Sequence, residues 1–410
     1  MINKDYEILR ELAKKVNEIA ALPEQKELVR LWKKNNGLKP ERPMFTIDQV
    51  CWNEMNYNDE LTLVCSDPSL HGFEWQLRET LYRYNHMRDD RVIENNISVS
   101  KCFWAENFGI SAITEGNTNA STHIFIDQLK NEEDLEKIKT PKVVYNKEET
   151  KKRKEKAEEI FDGILKVKLT GWDPYFHYWD MITTWRGVDS IMYDLIERPE
   201  FIHKTVKKVI DMFHCALDQY EALGLINTGM SIIHCTGAYT DELPGFNGES
   251  FENLDTYTAK NSWTYSAPQL FSMVSPEMHE EFDTEYCKKW FSRFGLGYYG
   301  CCEPNDNKIE LIRKIPNVRK ISMSPWAKEE IGAEKIGKDF VYSRKPNPSF
   351  LANQTFDSNL INEEFNKTLG ATKKYGCPVE FILKDLTTVK NDPSRIWQWV
   401  KLAEKACGKI

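Results

Sequence analysis

Cys301 and Cys302 stand side by side in "GYYGCCEPND" (297–306), with Glu303 next in the chain. Thiolate and carboxylate so close together are zinc-type ligands, and "GMSIIHCT" (229–236) adds the imidazole of His234. A catalytic zinc keeps three protein ligands and one open position. If the strand through "LGYYGCC" continues to 303, Tyr299, Cys301 and Glu303 share one face and Cys302 takes the other. Cys301 with Glu303 is then the first choice of ligand pair, and Cys302 replaces Cys301 if the strand ends early. The bland alternative is that the cysteines pack and Glu303 only hydrogen-bonds.

These residues have one thing in common with Ser322, Ser324, Arg344, Lys345, Lys384 and Asp385: each ends a short apolar run. The runs "ILKVKL", "GMSIIHCT", "LGYYGCC", "VRKISMSP", "DFVYSRKP" and "PVEFILKD" read as strands, separated by segments of helical periodicity. Short strands alternating with longer helices mean parallel βα units. No Gly-rich dinucleotide fingerprint follows any of them, which favours a closed (βα)8 TIM barrel over a doubly wound sheet. In such a barrel the strand ends form one ring above the mouth, where active sites lie. The barrel is expected over 41–410, after an N-terminal helical extension at 1–40 in which Tyr6, Leu9, Leu12, Val16 and Ile19 recur at helical spacing. "MFTIDQV", "NISVSKCF" (96–103) and "THIFIDQL" (122–129) are further strand candidates. "SPEMHEEFDTEYCKKWFSRFG" is a helix capped by Ser275, with Pro276 at its first position.

The 410 residues carry a net charge of −8 and 41 % apolar side chains, enough for a large core and the wrong sign for nucleic acid or anionic membrane. No apolar run is long enough to span a membrane, and the charged N-terminus is not a signal peptide, so a cytoplasmic protein is expected. In that compartment most of the ten cysteines are small apolar residues rather than disulfide partners. The charge run at 130–163 reads as a solvated helix face, with a docking surface as the alternative. "GAEKIGKD" (332–339) only imitates a phosphate loop: Asp339 stands where Ser or Thr should be, and helix runs into strand. The aromatic cluster "GWDPYFHYWDMITTW" (171–185) is a core corner or a wall around a flat substrate; the second reading nominates Trp172 and Tyr178.

From about residue 160 onward, "SWTYSAPQLFSMVSPEMHEEF", "LGYYGCCEPNDNKIELIRKIPNVRKISMSPW" and "PVEFILKDLTTVKNDPSRI" resemble the uroporphyrinogen decarboxylase-like superfamily, and within it the corrinoid-dependent methyltransferase branch. The resemblance implies a (βα)8 barrel with zinc at the mouth. It also implies methyl transfer between a small molecule and a cobalamin carried by a separate corrinoid protein. The branch's His-x-Cys pair falls on Tyr299 and Cys301, and its later cysteine falls in "KDLTTV", where Asp385 or Thr387 is nearest; Cys377 precedes that strand and belongs at the barrel bottom. The implied ligand set therefore becomes His234, Cys301 and Glu303, with Glu303 and Asp385 in catalytic roles and Trp172, Tyr178, Tyr299 and Lys384 at the substrate. The favoured donor is an aryl methyl ether, making the chain the O-demethylase component of an anaerobic system, and a homodimer is compatible with it. "DPSLHG" (67–72) lacks the corrinoid-binding spacing, so the cobalamin belongs to the partner. The decarboxylase itself matches only faintly at "RPMFTIDQVCWNEM" (42–55), where Asn53 and Glu54 replace the arginines that hold an acidic tetrapyrrole. The alternatives are a metal-free decarboxylase-like lyase and a non-catalytic ligand-binding barrel.

Overall fold

The computed structural model describes residues 4–115, 124–227, 229–244 and 258–409. Two helices open the chain, Lys4–Ala20 and Pro23–Asn36, where the apolar spacing places them. Seven parallel strands then form one sheet: β1 (Met44–Ile47), β2 (Tyr175–Phe176), β3 (Trp263–Ser266), β4 (Leu296–Tyr299), β5 (Val318–Met323), β6 (Val341–Arg344) and β7 (Val379–Leu383). Their order is β1-β7-β6-β5-β4-β3-β2. Sequential neighbours from β3 to β7 pair directly, and helices fill the connections, among them Pro199–Ala222, Glu329–Ile336 and Ser358–Tyr375. This is a TIM-barrel-like arrangement; among the described residues no ladder joins β1 to β2.

Three expected strands take other places. "GMSIIHCT" is not a parallel strand. Ile232–Ile233 and Thr236–Gly237 form a tight antiparallel hairpin, and His234 and Cys235 are its two turn residues. Both have positive φ, 40° and 71°, as a two-residue hairpin turn with the twist of its strands demands. Neither is glycine, so the turn is strained by about 1–3 kcal/mol per residue and must be held from outside. The Thr46 hydroxyl donates to the Cys235 carbonyl at 2.7 Å, and the Lys320 ammonium donates to the Gly237 carbonyl at 2.9 Å. Gly237 itself packs flat on the Trp32 indole, where a Cβ would come within 2.3 Å of the ring. Lys166–Thr170, from "ILKVKL", pairs instead with Asn96–Ser100 in a separate two-stranded ladder. In "THIFIDQL" only Ile124–Phe125 is strand, paired with Thr114–Glu115; residues 122–123 lie outside the described residues.

Strand alternation sorts the side chains. Tyr299, Ile321, Tyr342 and Phe381 point out into the large core shared with the helices. Tyr298, Trp263, Tyr265 and Ile382 point inward, into a smaller core of their own. That interior is layered. At the lower level Lys320 and Glu380 form a fully buried ion pair at 2.8 Å. Above it, Ser343 Oγ donates to Glu380 Oε1 at 2.7 Å, and the Tyr298 hydroxyl meets Ser343 at 2.7 Å and receives a hydrogen bond from Lys345. Because Glu380, Ile382 and Lys384 are two residues apart along β7, the same face that buries Glu380 delivers Lys384 to the strand's C-terminal end. All ten cysteines are free, and Cys51, Cys65, Cys287 and Cys407 pack as buried apolar side chains. The charge run contains the helix Lys147–Phe161, whose Ala157, Ile160 and Phe161 are buried while its charged residues face outward. Among the described residues no helix is long and apolar enough to cross a membrane.

Candidate functional site

A cavity of about 680 Å³ opens at the C-terminal ends of the strands. Tyr175, Tyr265, His234, Cys301, Cys302, Lys384 and Asp385 line it, together with Gln49, Asp173 and Gln269. Its size suits a small organic molecule. A second cavity, of about 710 Å³, lies between the N-terminal helices and the Asn96–Ser100 strand; its arginines are paired, Arg42 with Asp90 and Arg88 with Glu24, and it contains none of the thiols.

The thiols reach the mouth because β4 stops at Tyr299. Gly300 turns the chain with φ 90°, a conformation that suits glycine, and a Cβ there would strike the Asn305 amide at 2.4 Å. That turn resets the alternation. Tyr299 faces outward while Cys301 joins the inward-facing Tyr298 and Tyr265, so the expected shared face of Tyr299, Cys301 and Glu303 does not form.

Cys301 Sγ receives a hydrogen bond from Lys384 Nζ at 3.0 Å and lies 3.4 Å from Cys302 Sγ. Cys302 Sγ is in turn 3.4 Å from Asp385 Oδ2. The Cys302 thiol beside it holds Cys301 far below the usual thiol range, and His234 and Lys384 pull the same way. Cys302 moves oppositely: its hydrogen bond to Cys301, and then burial, keep it protonated. The two sulfurs are thus pushed in opposite directions, Cys301 toward the thiolate and Cys302 toward the thiol. Lys384 is pushed up by the Cys301 thiolate against the opposing effect of burial, so it stays an ammonium. Burial lowers His234 to about 4 and keeps it neutral. Its ring stacks on Tyr265 at 3.8 Å, Tyr265 stacks on Tyr175 at 4.5 Å, and its Nε2 is buried without a hydrogen-bond partner. Tyr175 is fixed by donating to Asp180 at 2.8 Å.

Several expected site residues stand elsewhere. Glu303 is wholly buried behind the thiols, where its Oε2 accepts the Cys301 backbone N–H at 2.8 Å and its Oε1 has no partner. Burial, and then the Cys301 thiolate, push its carboxyl up to about 7. Trp172 stacks on Tyr220 at 4.3 Å, outside the cavity lining. Tyr178 and Tyr299 both donate to the buried carboxylate of Asp283, at 2.6 and 2.5 Å, and the Tyr299 hydroxyl also meets His279 Nε2 at 2.6 Å. Asp283 reaches them from the π-helical turn Glu280–Thr284. Three of the four aromatic and basic residues expected at the substrate are thus core residues; Lys384 alone lines the cavity. The aromatic wall is built from Tyr175 and Tyr265, which the sequence reasoning passed over. Tyr175 lies in the quoted aromatic cluster, and Tyr265 is the last inward position of β3, so a period-2 reading of that strand could have found it.

The zinc triad does not assemble. The Glu303 carboxylate is committed to the backbone of its neighbour, and Lys384 occupies one side of the Cys301 sulfur. Among the described residues no three His, Cys, Asp or Glu side chains gather as a metal ion requires. The arrangement offers instead a thiolate, a neighbouring thiol and an ammonium against an aromatic wall.

No protein-family model matches the sequence, and no curated protein is similar to it. Among solved structures, a methyltransferase from Methanosarcina mazei superposes with a TM-score of 0.50 at 10 % identity, over 92 % of this chain and 98 % of that one. The likeness is one of fold.

Proposed function

We propose that the protein is a methyltransferase that moves a methyl group between a small methylated compound and the cobalamin of a separate corrinoid protein, with an aryl methyl ether as the favoured donor. The observation that carries this reading is the Cys301 sulfur, with Lys384 and Cys302 beside it, in a mouth cavity walled by Tyr175 and Tyr265. The strand-end resemblance and the fold shared with a methyltransferase support it.

Demethylating an ether means displacing a basic oxygen. The cost falls when a positive or acidic group meets the charge developing on that oxygen. Lys384 keeps its proton beside the thiolate, and Cys302 keeps its own. Both line the cavity, so either can face the departing oxygen while the stacked Tyr265 and Tyr175 hold the ring. Asp385, at the rim, lies 3.6 Å from the Lys384 ammonium and orients it. The corrinoid supplies the nucleophilic metal when its carrier docks at the mouth. Because the zinc ligand set does not converge, no step is assigned to zinc.

The test is anaerobic incubation with a reduced corrinoid protein and a panel of methyl ethers and methylamines, followed by absorbance. Methylcobalamin formation with an aryl methyl ether supports the reading. A full panel without methylcobalamin, under conditions where a known methyltransferase turns over, refutes it.

A further inference from the structure

We infer that Lys384 occupies the place of a metal ion at Cys301, so that the site retains no zinc. Three independent features of the geometry meet here. The first is the β7 alternation, which brings Lys384 up from the barrel interior with its side chain only 4 % exposed and its Nζ 3.0 Å from Cys301 Sγ. A buried ammonium needs partners, and Lys384 finds them in the Cys301 sulfur and, at 3.6 Å, the Asp385 carboxylate. The second is the direction of Glu303. Its carboxylate turns back onto the Cys301 N–H, with Oε1 packed 3.5 Å from where a Gly300 Cβ would stand, and so points away from the cavity that a ligand would have to face. The third is Lys345, a second buried lysine at the neighbouring strand end. It donates to the Tyr298 hydroxyl and lies 4.7 Å from that ring's centroid. Two ammonium groups beneath one mouth disfavour a further divalent cation on the same sulfur.

The consequence is specific. The Lys384 ammonium fills the side of the Cys301 sulfur that a metal ion would approach. The inference does not rest on methyl transfer.

One measurement tests it on the full-length protein. Elemental analysis after equilibration with zinc and desalting is expected to find no stoichiometric zinc. One zinc per chain that disappears in Cys301→Ser would overturn the inference. The zinc measurement needs no variant to fold and involves no methyl donor. Failure of the proposed reaction and failure of this inference are therefore told apart.

Discussion

Cys301 Sγ lies 3.4 Å from Cys302 Sγ, and the two neighbours are pushed in opposite directions, Cys301 toward the thiolate and Cys302 toward the thiol. A thiolate is the nucleophilic form, so the pair has one reactive member. Limiting iodoacetamide is expected to label Cys301 first and to leave Cys302 largely untouched. Cys302→Ala removes the largest cause of the lowered Cys301 value and should slow labelling of Cys301 at pH 6. Equal labelling of the two sulfurs would contradict the assignment.

Glu303 supplies a pH dependence whose sign is fixed. Its folded pKa is raised from 4.5 to about 7, so the folded protein favours the protonated carboxyl. The stability this contributes is fully present below pH 4.5 and is lost as the pH rises through 7. The loss is of order 3 kcal/mol. Urea denaturation of Glu303→Gln between pH 5 and 8.5 should show a flatter profile than the unsubstituted protein, with the substituted chain gaining relative stability at the alkaline end. Parallel profiles would remove Glu303 from the account.

Gly300 is where the alternation of β4 is reset. Alanine there meets both an unfavourable φ and the Asn305 amide. Gly300→Ala is expected to cost about 1–3 kcal/mol in chemical denaturation. It should also reduce Cys301 alkylation, because Cys301 moves with the turn. Retained stability with unchanged thiol reactivity would show that the turn is not needed.

How much of this the sequence contained depends on what each residue's surroundings demand. The parallel strands from "LGYYGCC" to "PVEFILKD" were legible, because buried strands between amphipathic helices leave a periodic signature. Cys301, Lys384 and Asp385 were legible as strand-end residues, and the structure brings them together with His234. The hairpin at His234 was not, since apolar residues around a two-residue turn of His and Cys look like one continuous strand. Tyr299 was misplaced by a single glycine: alternation carries a register only while the strand lasts, and Gly300 ends it. Trp172 and Tyr178 are aromatic for the core's sake, and only the three-dimensional partners Tyr220 and Asp283 reveal that.

Tyr178 gives a test of that reassignment. Its hydroxyl donates to Asp283 in the core, so Tyr178→Phe leaves a buried carboxylate short of one donor. The expected cost is about 1–3 kcal/mol of stability with no change in KM for a methyl donor. A raised KM at unchanged stability would return Tyr178 to the substrate.

The buried Lys320–Glu380 pair supports the barrel floor under the site. Lys320→Met strands the Glu380 carboxylate and should cost about 3–5 kcal/mol, read from the shift in denaturation midpoint. Replacing both partners by apolar residues should be milder than the single change. A single variant as stable as the original chain would show that the pair carries no weight.

The most direct measurement is the initial rate of methylcobalamin formation, taken anaerobically with a reduced corrinoid protein and an aryl methyl ether, for the unsubstituted chain and for Cys301→Ser. The account predicts a clear methylcobalamin signal that Cys301→Ser reduces by about a hundredfold or more. Equal rates in the two proteins would contradict it.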